Sequence, residues 1–295
     1  QGMNRFEQQL RDDAQRTNQA LYACLKTSGR DPQEAVFQAM RYSLLDAGKR
    51  LRAALVLEFG RMSDADPEGA MSLACAVEMV HAYSLIHDDL PCMDNDDFRR
   101  GKPSCHKAFG EANALLAGDG LLTLAFETAA SANLPESARL GAVRILSQAA
   151  GVAGMIGGQV IDLESEGRQI STELLDTLYA LKTGALLRAA AALGCIAGNA
   201  PQAIHSAADA YATAYGLAFQ ITDDILDVVG DAEKLGKPVG SDGENRKTTY
   251  VTLFGIDGAR QRAAEQIQRA MRSVEQLPDN GFLLWLAELV LTRDH

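Results

Sequence analysis

Apolar residues recur at three- and four-residue spacing along almost the whole chain, and this periodicity limits the fold more than any other feature. The stretches 73–84 and 174–185 both follow it. Such spacing places the apolar residues on one face of an α-helix, whereas the alternating pattern of strands is nearly absent. The sequence therefore predicts an all-α protein with about ten or more helices of ordinary length.

No linker rich in proline, glycine or serine divides the 295 residues, which predicts one helical domain over residues 3–295. Gln1 and Gly2, ahead of Met3, are interpreted as residues added during cloning. Polar and glycine-bearing loops are expected at 94–102 and 230–247. Helix starts are predicted at Asp31-Pro32, Asp66-Pro67, Ser171-Thr172 and Ala200-Pro201.

Composition excludes several classes of protein. The formal net charge of −11 disfavours a nucleic-acid-binding protein, which needs a basic face. The five cysteines are scattered without a CxxC pair, which favours reduced thiols in a cytoplasmic protein over a disulfide framework or a zinc site. No signal peptide and no long uninterrupted apolar run are recognised, so stable membrane anchoring is not expected.

Aspartates are concentrated in two places. Five of them fall within the ten positions 88–97, where their charges repel one another, and a second group, Asp223, Asp224 and Asp227, begins 135 residues later. Each group follows a stretch that is poor in charge, over residues 80–87 and 211–222. We expect the second group to end its helix, as the first does.

Spacing predicts how each group is arranged. Asp223 and Asp227 are four residues apart, about 40° around a helix, so their carboxylates share one face. Asp88 and Asp94 are six residues apart, about 240° on a continuous helix. Pro91 weakens helical hydrogen bonding between them. We therefore expect Asp88 at a helix end and Asp94 in the turn beyond it.

Two carboxylate groups at helix ends favour binding of hard divalent cations such as Mg²⁺, with positions left open for a phosphate-bearing substrate. One such group alone would more often be a solvated acidic helix end, but two of them favour a metal site. A calcium-binding EF-hand does not fit, because the sixth and twelfth positions from Asp94 are Arg99 and Cys105 instead of Gly and Glu.

Cations accompany the carboxylates. Arg99 and Arg100 follow the first group directly, and the stretch "GKRLR" at 48–52 supplies Lys49, Arg50 and Arg52. Arginines of this kind suit the clamping of a diphosphate. Further cations in loops or apolar surroundings are Lys182, Lys237, Arg246 and Lys247. Each alone would be read as a surface charge or a charge at a helix end; their occurrence together favours a site for anions.

These motifs resemble the trans-isoprenyl diphosphate synthase family, in particular its bacterial short-chain members. The resemblance is carried by "DDLPCMDNDDFRRG", "DDILD" and "GKRLR" and continues through "GMIGGQVIDLESEG", "LKTGALL" and "KLGKPVGSDGENRKTTY". It implies a single-domain bundle of the isoprenoid synthase type around a central active-site cavity. It also implies a cytoplasmic homodimer and a Mg²⁺-dependent condensation of isopentenyl diphosphate with an allylic diphosphate.

The resemblance also implies residue roles. Metal ligands for three Mg²⁺ ions, with Mn²⁺ able to substitute, would be Asp88, Asp89, Asp94, Asp223 and Asp227, and Asp224 would act through water or through other side chains. The allylic diphosphate would contact Arg99, Lys182, Lys237 and Lys247. Isopentenyl diphosphate would contact Lys49, Arg52, His81 and Arg100. Thr183 and Gln220 would lie near the reacting allylic carbon.

Two of these residues have simpler interpretations. His81 could be an ordinary buried histidine, and Thr183 could hydrogen-bond a helix carbonyl. Gln159 and Asp162 could line the cavity or fix helix packing, and they are left out of the predicted site. The glycines of 151–158 match neither phosphate-binding glycine motif, so close helix approach is the expected role.

Product length is predicted from the residues before the first motif, where bulky side chains close the chain-elongation pocket in this family. Here Tyr83 and Ser84 occupy the fifth and fourth positions before Asp88. Tyr83 lies about 7.5 Å along the helix from Asp88. An aromatic at this position resembles farnesyl (C15) producers, so farnesyl diphosphate is favoured over geranylgeranyl diphosphate (C20). The alternative is that Tyr83 is an ordinary core aromatic.

Two other functions remain open from the sequence. A class I terpene cyclase shares the helical fold, but usually carries an Asn/Ser/Glu-type motif in place of "DDILD" and needs no second diphosphate site. A non-catalytic relative would be expected to have lost motif residues, and no such loss is found. Condensation is therefore the favoured reaction.

Overall fold

The computed structural model describes residues 4–45, 48–235 and 247–292, with the side chains of 231–235 left aside. Contacts divide the chain into two compact units. Unit 1 is Gln1–Leu146 with Leu193–Asn199, and unit 2 is Ser147–Ala192 with Ala200–His295. Within the described residues the structure is almost entirely helical, which confirms the all-α prediction. The prediction of a single domain over 3–295 stays a prediction.

Unit 1 is built from helices around one long apolar helix. Its helices are α1 (Arg5–Cys24), α2 (Glu34–Leu44), α3 (Leu51–Met62), α4 (Pro67–Asp88), α5 (Cys105–Phe109) and α6 (Glu111–Ala130). Helix α4 packs against α1, α2, α3 and α6. Its buried residues lie on nearly every face, as expected for a helix surrounded by others. Asp66 caps α4 by accepting a hydrogen bond from the Gly69 amide at 2.8 Å.

Unit 2 contains α8 (Met155–Glu164), α9 (Thr172–Tyr179), α11 (Gln202–Leu235), α12 (Tyr250–Val274) and α13 (Gly281–Leu291). Helices α7 (Glu136–Ala150) and α10 (Ala185–Ala197) hold residues assigned to both units. A π-helical turn, Ala180–Gly184, connects α9 to α10. The core of unit 2 is formed by α9, α11 and α12, where Leu178, Ile221 and Ala259 are buried together.

Two predicted helix boundaries differ from the structure. Helix α2 begins at Glu34 and not at Asp31-Pro32, because residues 32–33 form a turn. Helix α11 continues to Leu235, so the second aspartate group lies inside a helix and does not end it. Nothing at residues 223–227 breaks the helical hydrogen bonding there, whereas Pro91 follows the first group's helix at once.

The predicted loop at 94–102 contains a small hairpin. Strand β1 (Phe98–Arg99) pairs antiparallel with β2 (Lys102–Pro103). Arg100 and Gly101, between the strands, have φ of 52° and 76°. Positive φ at both central residues is typical of the tight hairpin turns whose twist matches paired strands.

Three helical stretches are long and apolar enough, by length and composition alone, to cross a membrane, whereas the sequence predicted no long apolar run. They are Pro67–Asp88, Glu136–Glu164 and Thr172–Ala197. In Pro67–Asp88, 72% of the most apolar window is buried inside the protein, which identifies α4 as a core helix of unit 1.

Candidate active site

The first aspartate group has the predicted geometry. Helix α4 ends at Asp88, and the chain then turns through residues 89–94. The Asp94 amide donates a hydrogen bond to the Asp88 carbonyl oxygen at 2.8 Å. This bond brings Asp94 back beside the helix end, although six residues along a continuous helix would have separated the two. The expectation of a helix end followed by a turn is therefore confirmed.

Asp89 is held differently from its neighbours. It is 1% exposed, and its carboxylate accepts two hydrogen bonds from the Arg99 guanidinium, both at 2.7 Å. A bidentate pair of this kind fixes the orientation of both groups. The predicted roles of Asp89 as a metal ligand and of Arg99 as a diphosphate contact stay predictions, while the structure assigns each as the other's partner.

The "GKRLR" stretch divides into an inward and an outward part. Arg50 is 7% exposed, and it donates to the Asn18 side chain, the Leu44 carbonyl and the Glu78 carboxylate. Glu78 also accepts a hydrogen bond from the Ala53 amide at the start of α3. Sequence reasoning missed Glu78, although it is the only acidic residue of α4 between the first turn and the last residue.

Lys49 and Arg52 flank this buried arginine. Lys49 is exposed, and Arg52 is half-buried. A Cβ atom built on Gly48 would lie 3.7 Å from the Arg100 guanidinium, so the hairpin arginine lies beside the start of "GKRLR". The structure thus brings the cations of two separate sequence motifs together within unit 1.

The local field at these cations is positive. Burial, followed by the charges of Arg52, Arg100, Arg99 and Arg50, lowers the pKa of His81 well below its ordinary value. His81 is therefore a neutral imidazole near pH 7, able to donate or accept a hydrogen bond but carrying no charge. A place where four guanidinium groups act on one imidazole suits a multivalent anion.

The residues predicted to set product length lie on α4. Tyr83 is 6% exposed, and its ring contacts His87 edge to face with centroids 5.6 Å apart. Burial and the Asp88 charge raise the pKa of Tyr83, so the hydroxyl is un-ionised. Ser84 is half-buried and donates to the His81 carbonyl at 2.7 Å. Their effect on product length stays a prediction.

In unit 2, Lys182 and Thr183 lie in the π-helical turn. Single π turns inside longer helices are rare overall, and those that occur frequently lie at functional sites. Helix α8 passes directly beside this turn, because a Cβ atom on Gly158 would lie 2.3 Å from the Lys182 amide nitrogen. The predicted role of close helix approach is confirmed at Gly158. At Gly151 and Gly154 the atoms that a Cβ would meet belong to the preceding turn of the same chain.

Asp162, which was left out of the predicted site, joins two of its lysines. Its carboxylate accepts from Lys182 Nζ at 2.5 Å and lies 3.4 Å from Lys247 Nζ. Burial acts to raise the pKa of Asp162, but the hydrogen bond and charge of Lys182, and then Lys247, outweigh it and lower the pKa. Asp162 is therefore ionised and holds the two ammonium groups together.

A second chain of hydrogen bonds starts at Thr183. Its hydroxyl donates to Gln220 Oε1 at 2.9 Å, and Gln220 Nε2 donates to Asp224 Oδ1 at 3.3 Å. Tyr179 Oη donates to the other Asp224 oxygen at 2.5 Å. Asp224 is 7% exposed, and burial raises its pKa to about 6 despite these bonds. Asp224 thus fixes the Gln220 amide. Tyr179 also belongs to this chain of hydrogen bonds, although the sequence did not predict it.

Of the other predicted residues, some lie within the described part of the chain and some lie outside it. Asp223 is half-buried and Asp227 is exposed, one helical turn apart on α11, which confirms that they share a face. Lys237 and Arg246 lie outside the described residues. Among the residues that the structure describes, no three carboxylate, imidazole or thiol groups converge on a common point.

A magnesium site does not require such a three-ligand cluster. Mg²⁺ is usually held by one or two carboxylates together with waters and substrate phosphates, and not by an all-protein cage. Asp88 and Asp94 in unit 1, and Asp223 and Asp227 in unit 2, each offer such a pair of hard oxygen donors. The donor set therefore suits a metal that is bound jointly with a diphosphate.

Comparison with known proteins agrees with this chemistry. The polyprenyl synthetase family model matches residues 33–280. The chain belongs to the polyprenyl synthetase family. Members of this family generally depend on Mg²⁺. The match spans every predicted site residue, including Lys237, which the structure leaves undescribed.

Individual relatives and solved structures show which members of the family this chain is similar to. The chain is 47% identical over 262 residues to a farnesyl diphosphate synthase of Geobacillus stearothermophilus, covering 88% of each chain. It is 44% identical over 297 residues to that of Escherichia coli K12, covering 98% of this chain and 99% of the relative. Among solved structures, an FPP/GFPP synthase from Zymomonas mobilis matches with a TM-score of 0.87 at 35% identity, over 97% and 98% of the two chains.

Proposed function

We propose that this polyprenyl synthetase makes farnesyl diphosphate by condensing isopentenyl diphosphate with dimethylallyl diphosphate and then with geranyl diphosphate. The relatives named farnesyl diphosphate synthase, at 47% and 44% identity, support the product. The observation that carries the reaction is the pairing, in each unit, of aspartate oxygens on a helix with a separate cluster of cations. Such pairing suits two substrates that both carry a diphosphate.

In the first step, the bond between the allylic carbon and the diphosphate oxygen breaks, and the bonding electrons leave with the diphosphate. Lys182 and Lys247 bind the leaving group, because Asp162 holds both ammonium groups in one place. Gln159, one helical turn from Asp162, has a buried amide nitrogen with no hydrogen-bond partner among the described residues. That N–H group is a further donor for the same anion. Fixed positive charge stabilises the charge that develops as the bond breaks.

In the second step, the double bond of isopentenyl diphosphate attacks the allylic cation, and loss of a proton completes the new double bond. The departing diphosphate accepts that proton. Isopentenyl diphosphate binds in unit 1 at Lys49, Arg52, His81 and Arg100. His81 acts there as a neutral hydrogen-bond donor, since burial and the neighbouring guanidinium groups lower its pKa. The arginines supply the charge.

Thr183 and Gln220 present oxygen dipoles to the allylic cation. Their orientation follows from the hydrogen bonds to each other and from Gln220 to Asp224. Asp224 is a positioning residue in this scheme, with Tyr179 holding its second oxygen. An oxygen that is already fixed stabilises a nearby cation without the cost of reorienting during the reaction.

Asp88, Asp94, Asp223 and Asp227 would hold Mg²⁺, of which we propose three ions, with Mn²⁺ able to replace them. When bound, the ions add positive charge beside the leaving diphosphate. We assign Asp89 to the positioning of Arg99 and not to metal binding, because both of its oxygens accept hydrogen bonds from Arg99 in the structure.

We further propose that the protein is a cytoplasmic homodimer without a nucleic-acid partner and without stable membrane anchoring. Large apolar side chains of unit 1 that stay exposed support an interface between two copies: Leu115 and Leu116 on α6, and Leu140 on α7. Sedimentation of the purified protein tests the dimer, since a monomer at assay concentration would contradict it.

Product analysis tests the reaction. Purified protein is given Mg²⁺, labelled isopentenyl diphosphate and dimethylallyl diphosphate, and the dephosphorylated alcohols are separated. Farnesol as the main alcohol is the expected result. Geranylgeraniol would keep the condensation and overturn the product length. No incorporation by a folded preparation that has also been offered geranyl diphosphate would overturn the proposal and favour a terpene cyclase or a non-catalytic relative.

A further inference from the structure

Two of the five cysteines lie together, at a distance in sequence of 51 residues. Cys24 is the last residue of α1, and Cys75 lies in the middle of α4. These helices pack against each other, and both thiols line one cavity of about 480 Å³ in unit 1. The scattered spacing of the five cysteines predicted reduced thiols and did not indicate that these two lie near each other.

The two thiols differ in access. Cys24 is exposed, whereas Cys75 is 1% exposed. A reagent in solution therefore meets Cys24 first, and Cys75 is placed behind it to attack whatever forms there. This arrangement of an accessible thiol with a sheltered neighbour is common among redox-sensitive cysteines.

The two thiols also differ in acidity. The Cys75 thiol lowers the pKa of Cys24 to about 7, against the opposing effect of partial burial. The interaction with Cys24, followed by burial, raises the pKa of Cys75. Near neutral pH, Cys24 is therefore the thiolate of the pair. A thiol whose pKa lies near the ambient pH is the most effective nucleophile in disulfide exchange.

We propose that Cys24 and Cys75 are a modification site that forms a reversible disulfide with a low-molecular-weight disulfide as the oxidant. The Cys24 thiolate attacks one sulfur of the oxidant, which forms a mixed disulfide and releases one small thiolate. Cys75 then attacks the Cys24 sulfur, which forms the protein disulfide and releases the second thiolate. The two protein thiols are oxidised, the oxidant is reduced to two thiols, and the two protons end on those thiols.

The bond would join the end of α1 to the middle of α4, the helix that carries His81 and ends at Asp88. A crosslink between residues 24 and 75 restricts the unfolded chain over a long loop. The proposal is independent of the isoprenoid reaction, since neither cysteine belongs to the proposed site. A disulfide of this kind in a reducing compartment is transient, as intracellular disulfides usually are.

The other three cysteines supply the comparison. Cys92 is exposed but has no cysteine neighbour that the structure records, whereas Cys105 and Cys195 are buried. Burial raises the pKa of Cys195 to about 12 and also raises that of Cys105, so both are unreactive thiols. Cys92 is therefore the matched control for exposure without a partner.

The test uses the full chain, reduced and then placed in glutathione disulfide at neutral pH. Samples are quenched with acid, alkylated, and measured by intact mass and peptide mapping. The expected product has lost the mass of two hydrogen atoms and contains one peptide pair linked through Cys24 and Cys75. Cys75→Ser should instead stop at a stable glutathione adduct on Cys24, and Cys92→Ser should form the disulfide as the wild type does.

Three outcomes would overturn the proposal. In the first, Cys24 and Cys92 form adducts at equal rates in the wild type. In the second, Cys24 keeps its adduct while Cys75 remains free for alkylation. In the third, the linked peptides come from two different protein chains, as shown by mixing isotopically labelled with unlabelled protein. Because Cys24 is exposed, Cys24→Ser is expected to fold, and it should give no disulfide at all.

Discussion

The cations of the two units are held in different ways. In unit 1, two arginines of the cation cluster are paired with buried carboxylates: Arg99 with Asp89, and Arg50 with Glu78. In unit 2, Lys182 and Lys247 share the single carboxylate of Asp162. A guanidinium in a bidentate pair is fixed in direction, whereas an ammonium group is a point charge on a flexible stem. Arg99 and Arg50 are thus fixed in direction, whereas the lysine pair depends on Asp162 to keep its two ammonium groups together.

The aspartate pairs differ in the opposite sense, since the pair in unit 2 has the more robust geometry. Asp88 and Asp94 are brought together by a turn after a helix, whereas Asp223 and Asp227 are one turn apart inside α11. A turn depends on several local contacts, while helical spacing holds wherever the helix is formed. The second pair is therefore the more robust in geometry, and the first is the more sensitive to changes around it.

The largest effect is expected from Asp88→Asn. Loss of this proposed metal ligand should lower kcat by about 10²- to 10³-fold, the range seen when one electrostatic stabiliser of a transition state is removed. Asp227→Asn, at the exposed end of the second pair, should cost less. Asp96→Asn, an exposed aspartate in the same loop as Asp94, is the control and should keep nearly wild-type kcat. Equal losses for Asp88 and Asp96 would mean that net charge, and not ligation, is responsible.

Arg99→Met should lower the stability of the fold. It leaves the Asp89 carboxylate buried without its bidentate partner, and breaking a buried pair is strongly destabilising, here by about 2–3 kcal/mol because Arg99 is partly exposed. Urea denaturation measures this free energy. Arg11→Met removes an exposed pair with Glu7 and should cost less than about 0.5 kcal/mol. If the two variants unfold alike, Arg99 does not depend on Asp89 as described.

Asp162→Asn should weaken the binding of the allylic diphosphate. The variant keeps the size of the side chain but removes the charge that gathers Lys182 and Lys247. We expect the KM for geranyl diphosphate to rise by about 10-fold, the equivalent of 1.4 kcal/mol. Glu164→Gln, an exposed residue on the same helix, is the control. An unchanged KM would show that the positions of Lys182 and Lys247 do not depend on the charge of Asp162.

The same variant gives a pH test whose sign follows from the lowered pKa of Asp162. A carboxyl group with a lower pKa in the folded state stabilises the fold above its unfolded pKa of 3.8, and this contribution is lost as the pH falls through the folded value. The wild type should therefore lose its stability advantage over Asp162→Asn on acidification. A constant difference from neutral pH down to strongly acidic pH would contradict the assignment.

Tyr83→Ala is expected to change the product and to have the smallest effect on the rate. Removing the buried aromatic ring on α4 should deepen the pocket and shift products towards C20, with condensation retained. Chromatography of the dephosphorylated alcohols measures the shift. Tyr42→Ala, which alters an exposed hydrogen bond to Pro103 in the same unit, is the control. Farnesol as the unchanged product of Tyr83→Ala would leave Tyr83 as an ordinary core aromatic.

Local patterns in the sequence predicted much of this structure correctly. Periodicity predicted the helices, Asp66 and Ser171 were recognised as helix starts, and residue spacing predicted the geometry of both aspartate pairs. These properties depend on neighbours within one or two helical turns, so a single sequence carries them. The end of α11 was predicted too early, because charged residues were taken for a boundary that the backbone does not need.

Sequence alone determined the fold class, the two carboxylate motifs and the family, since each of them follows from short local patterns of residues. Only the tertiary structure decided which side chains lie next to each other. Arg99 pairs with Asp89, Asp162 joins Lys182 to Lys247, and Cys24 meets Cys75. Such pairings join residues from different helices and loops, and their distances depend on how whole helices pack, which no local spacing records.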